Sequence, residues 1–63
     1  MNKEGRARLL VAKKIIRAEL EIERNKFLNL PESLQESSTI GDQLFTTMEE
    51  LEAAIEALNE VGV

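Results

Sequence analysis

All eight Lys and Arg residues of this 63-residue chain lie within its first 26 positions. They are Lys3, Arg6, Arg8, Lys13, Lys14, Arg17, Arg24 and Lys26, and the same stretch holds only Glu4, Glu19, Glu21 and Glu23. Positions 27–63 carry Glu32, Glu36, Asp42, Glu49, Glu50, Glu52, Glu56 and Glu60 with no cation among them. A half of net charge +4 therefore precedes a half of −8, which together give the net −4. Opposite charge on the two halves of a short chain favours folding back so that they lie side by side.

Length limits what such a fold can bury. A chain of this size forms one domain, here 1–63, and hides only about 60% of its unfolded surface. Small domains then depend on disulfides, metals or association. There is no Cys and no His, which removes disulfides, thiolate chemistry and most zinc and haem sites. No cofactor or metal is expected, and self-association is left as the stabilising device. The lack of Cys fits a reducing cytoplasm. The Leu9–Ile16 stretch is broken by Lys13 and Lys14 and closed by Arg17, so neither a membrane span nor a signal peptide is expected. Two Phe with no Trp or Tyr argue against a base-stacking platform.

The residue pattern predicts an all-α fold. Between Gly5 and Pro31 the chain is rich in good helix formers. Pro31 disfavours helix at Leu30, so the first helix is expected over about 4–29, roughly 38 Å long. Residues 30–38 form the connection, in which Pro31 can open one short helical turn. A second helix is expected over about 39–61. Ser38 or Thr39 caps it, Asp42 serves as a capping-box-like acid, and Gly62 stops it. Its apolar residues Leu44, Met48, Leu51, Ile55 and Leu58 recur at steps of four and three, a heptad seam that Ile40 extends. On the first helix Leu9, Ala12, Ile16, Leu20 and Phe27 share a face, and a second apolar strip of Val11, Ile15 and Ile22 is read as lying beside it. Two strips imply more than one neighbour. Leu9, Ile16, Leu20, Phe27, Leu44, Met48, Leu51, Ile55 and Leu58 are therefore the expected core or dimer seam.

Charge selects the pairing. Arg6, Lys13, Arg17 and Arg24 line one flank of the first helix's main apolar face. Glu49, Glu52, Glu56 and Glu60 line the flank of the same sense on the second. Such flanks meet only between antiparallel helices, so the expected architecture is an antiparallel helical hairpin. Two helices bury little, and a homodimer forming a four-helix bundle is the expected assembly, with a monomeric hairpin carrying a short third helix and a higher oligomer as the alternatives. Glu23 interrupts the main face between Leu20 and Phe27. It is expected either to reach the bundle edge or pair with an Arg, such as Arg24 or one across the interface, or else to fix register or oligomeric state as a buried polar residue.

The segment Phe27-Leu28-Asn29-Leu30-Pro31-Glu32-Ser33-Leu34-Gln35-Glu36-Ser37 resembles the centre of a group of small acidic helical-hairpin proteins of bacteriophages and mobile elements. Their middle reads approximately Phe-x-Asn-Leu-Pro-Glu-Ser-Leu-Gln-x-Ser. A Met-Glu-Glu-rich acidic helix follows in that group, and Met48-Glu49-Glu50-Leu51-Glu52-Ala53-Ala54-Ile55-Glu56-Ala57-Leu58 looks like it. This chain departs at Leu28, where the group has an acid, and in its longer step Ser38-Thr39-Ile40-Gly41-Asp42 into the second helix. The resemblance implies a helical hairpin of phage or mobile-element origin, acting in the cytoplasm of a host bacterial cell. It carries over no catalytic residues.

Chemistry along the chain is sparse. Nucleophilic catalysis needs Ser, Thr or Cys beside a base, and the Ser residues lie far along the chain from the Lys residues. No Gly-rich phosphate loop is present, and residues 36–49 have too few acids for a calcium loop. An enzyme is not expected. Two binding surfaces remain. Asp42, Glu49, Glu52, Glu56 and Glu60 form the candidate surface for a host or phage protein, with inhibition of a host defence as one form. Arg6, Lys13, Lys14, Arg17 and Arg24 form the alternative, a nucleic-acid surface. That alternative is Rop-like, since the chain looks like the plasmid copy-number regulator Rop in size and topology only.

Overall fold

The computed structural model describes residues 1–63, with Ser37 described through its backbone alone. It contains three helices, α1 (Lys3–Leu28), α2 (Glu32–Ser37) and α3 (Thr39–Val61). The molecule is a rod of 47 × 15 × 11 Å. Contacts between α1 and α3 run in opposite senses along the two chains. Phe27 meets Phe45, with ring centroids 6.3 Å apart. Arg24 meets Glu52, and Lys13 meets Val63. The two long helices are therefore antiparallel, as the charge flanks and short connection predict.

Each helix end has a local cause. Asn2 opens α1 because its Oδ1 accepts a hydrogen bond from the Gly5 amide at 2.7 Å. That cap places the start at Lys3, one residue before the sequence estimate. At the other end α1 stops at Leu28, and Asn29 is its C-cap. Ser38 caps α3 through its Oγ, which accepts from the Gly41 amide at 2.9 Å. Asp42 sits in the first turn of α3, where a carboxylate complements the helix dipole. Gly62 ends α3 in the left-handed conformation, φ 101°, which a residue with Cβ adopts at a cost.

The connection is more ordered than a bare loop. Pro31 is the N-cap of α2, and its carbonyl accepts from the amides of Leu34 and Gln35. Gln35 Nε2 donates to the carbonyls of Phe27 at 3.1 Å and Leu30 at 3.0 Å. One side chain thus bridges two carbonyls at the exit of α1: that of Leu30, and that of Phe27, which also accepts from the Leu30 amide at 3.1 Å. Ser38 Oγ also donates to the Leu34 carbonyl. α2 then packs on α3 at Gly41. A Cβ there would stand 2.7 Å from the Gln35 carbonyl oxygen and closer still to that of Leu34. The Leu-Pro-Glu-Ser-Leu-Gln run therefore has a structural role: it closes one helix and seats the next.

Burial is slight. Leu20, at 7% exposure, is the single buried large apolar residue among the described residues. Leu9, Ile16, Phe27, Leu44, Met48, Leu51, Ile55 and Leu58 all remain half-buried. Two cylinders touch along one line, so each seam stays open on both sides. The second strip of α1 corrects the sequence reading. At 100° per residue Val11, Ile15 and Ile22 lie roughly opposite Leu20 rather than beside the main face. They are 57%, 65% and 48% exposed.

Candidate functional site

The outward side of α3 carries the acidic residues. At 100° per residue Asp42, Glu49, Glu56 and Glu60 fall within about 40° of one another. They lie roughly 120–160° around the helix from the apolar seam. All four are exposed, and none makes an ion pair among the described residues. With a rise of 1.5 Å per residue the ridge extends about 27 Å, most of the length of α3. These four carboxylates face solvent. They form a linear field of one sign, able to meet a row of cations.

Glu52 separates from this group. It lies only about 80° from the seam, which turns it toward α1, where its Oε1 stands 3.7 Å from Arg24 Nη2. Arg24 also holds Glu21 at 2.8 Å. These side chains are 42–62% exposed, so the pairs orient the helices more than they stabilise them. Of the four predicted flank acids, Glu52 alone makes a cross-helix pair among the described residues. Glu49, Glu56 and Glu60 lie too far around α3 to reach the basic flank.

The basic residues divide in the same way. Lys13 is buried at 9% exposure, and its Nζ donates to the Val63 main-chain carbonyl at 2.7 Å. The last turn of α3 contains no basic residue of its own. Lys13 thus supplies from α1 the cation that favours a helix C-terminus. Its role is in the α1–α3 contact, and its charge is not offered to solvent. Arg6, Lys14 and Arg17 stay exposed and without ion pairs among the described residues. Glu23, whose side chain is 13% exposed, pairs with Lys26 at 3.1 Å. Its cation is therefore Lys26 on its own helix, one turn on, rather than Arg24.

Two features of the ridge were not anticipated from sequence. Phe45, 53% exposed, lies between the acidic ridge and the α1 contact, an apolar element beside the charges. Thr39, Asp42, Gln43, Thr46 and Thr47 line a shallow open groove at the ridge's N-terminal end. The signal for Phe45 was its position about 100° around the second helix from the heptad seam, where its ring reaches Phe27 at one edge and stays exposed at the other. No group of three or more carboxylates converges to hold a metal ion among the described residues. No helix there is long and apolar enough to cross a membrane.

The fold and charge layout define a small all-α hairpin with one acidic outer face. Comparison with protein-family models, curated proteins and solved structures finds no match.

Proposed function

We propose that this chain is a non-enzymatic interaction protein that binds a basic surface of a host or phage protein through the outer ridge of α3. The supporting observation is the charge left over after folding: Asp42, Glu49, Glu56 and Glu60 lie in line and exposed, and no cation of the chain reaches them. A row of carboxylates about 27 Å long is opposite in sign to a cleft built to hold nucleic acid. On this reading the protein acts in the host bacterial cytoplasm, is of phage or mobile-element origin, and inhibits a host defence or nucleic-acid-handling complex by occupying that cleft. Self-association belongs to the same reading, because the hairpin leaves large apolar residues uncovered, Val11, Ile15 and Ile22 among them. The proposed unit is a homodimer, four long helices in all. The test compares the chain with a variant carrying Asp42→Asn, Glu49→Gln, Glu56→Gln and Glu60→Gln. Capture from nuclease-treated bacterial lysate should yield a stoichiometric protein with the first and not with the second.

A nucleic-acid reading keeps one favouring observation, the free exposed cations Arg6, Lys14 and Arg17. It predicts affinity that falls steeply with salt and is lost on Arg17→Glu. Two of its five residues are already engaged, Lys13 with Val63 and Arg24 with Glu21 and Glu52. The basic face is therefore weaker than its sequence suggests, and we place this reading second.

A further inference from the structure

The outward strip of α1 is patterned more strictly than a solvent-facing surface requires. Val11, Ile15, Ala18 and Ile22 recur at steps of four, three and four, the spacing of a coiled-coil seam. All four are exposed. They lie on the side of α1 away from Leu20, so α3 cannot cover them. Their span, about 17 Å, is enough for four layers of side chains. Resting on the self-association reading above, we infer that this strip is the dimer interface, and that two copies pair through it with their α1 helices antiparallel.

The sequence of the strip is self-complementary in that orientation. A two-fold axis midway between Ile16 and Arg17 sets Val11 against Ile22 of the second copy and Ile15 against its Ala18. Each large residue in the central layers then meets a small one, which lets the helices approach closely without a void. At the ends of the strip Arg8 meets Asn25, a charged donor against an amide. On the flank Lys14 meets Glu21 of the second copy, twice by symmetry. Lys14 has no ion pair of its own among the described residues, and Glu21 holds only the exposed Arg24. A parallel pairing offers more flank pairs, Lys14 with Glu19 and Glu21 with Lys26. It also stacks Arg8 on Arg8 and sets Ala18 against Ala18, leaving a gap at the centre. Exposed ion pairs contribute little, whereas central packing decides stability, so the antiparallel arrangement is favoured. The acidic ridges of both copies stay free on the outside.

Thiol cross-linking and mass measurement test this directly, because the natural chain has no Cys. Val11→Cys and Ile22→Cys chains should each fail to cross-link alone and should form a disulfide-linked heterodimer when mixed and oxidised. Light scattering of the unmodified chain should give twice its 7.1 kDa mass at tens of micromolar. Ile15→Glu should weaken the dimer roughly tenfold or more while circular dichroism stays helical. Lys14→Glu and Glu21→Lys should each weaken it, and the two combined should restore it. A monomer under these conditions overturns both the dimer and this interface. A dimer that survives Ile15→Glu unchanged, with no mixed cross-link, overturns the interface and leaves self-association standing. Cross-links within each single variant establish parallel chains and overturn the orientation.

Discussion

Gly41 has no room for a side chain. It sits where α2 presses its carbonyl oxygens onto α3, and those oxygens are main chain and cannot rotate away. Gly41→Ala should separate α2 from α3 and cost about 1–3 kcal/mol, the range for forced overpacking, read by urea denaturation. Lys13→Met tests a different bond. It keeps most of the apolar stem and removes the donor to the Val63 carbonyl. The expected loss is about 1–2 kcal/mol, with fraying of the last turn of α3 seen as faster amide exchange there. Both roles were hidden in the sequence. Lys13 reads as one more member of a basic flank, because nothing local shows that a chain end fifty residues later returns to it. Gly41 reads as part of the step into the second helix, because the close approach exists only once α2 has formed.

At the scale of the elements, helix starts and stops were legible because their causes are local. Ser38 and Gly62 each occupy the position that their chemistry favours, whereas Pro31 stands at the N-cap of α2, one residue before the first helical position expected of it. Asn2 has the same chemistry as Ser38, and its cap moves the start of α1 by one residue. The connection was only half legible: Pro31 announced a turn of helix, whereas the double hydrogen bond of Gln35 to Phe27 and Leu30 depends on where α1 ends. Gln35→Ala should leave those carbonyls without this donor and cost about 1–2 kcal/mol, measurable as a lowered denaturation midpoint with unchanged helix content. Glu23 also belongs to this scale. Its largely enclosed carboxylate is held by one exposed lysine. Glu23 lies on the α3-facing side of α1 and not on its outward strip, so Glu23→Leu should raise stability and leave the oligomeric state unchanged by light scattering. A redistribution of oligomeric states would restore the register role.

For the whole molecule, the charge split was the most informative part of the sequence, and its limit is geometric. Segregation of sign predicts an antiparallel hairpin, and α1 does pack antiparallel to α3. It does not follow that the charges neutralise each other. A helix carries charge around its full circumference, and only residues within about 80–90° of the contact line reach the other helix. Glu52 lies inside that arc, whereas Asp42, Glu49, Glu56 and Glu60 lie outside it. The excess on the outer face of α3 is therefore a consequence of the fold. The same geometry explains why Val11, Ile15 and Ile22, which read as a neighbour of the core strip, lie on the opposite side of α1.

The most direct test of the ridge is quantitative capture from nuclease-treated bacterial lysate. The natural chain is set beside the chain neutralised at Asp42, Glu49, Glu56 and Glu60, with equal helicity verified for both. The account predicts one stoichiometric protein partner on the natural chain, and retention reduced at least about tenfold on the neutralised one, as for loss of several interface charges. Equal retention of the same partner by both chains would contradict it.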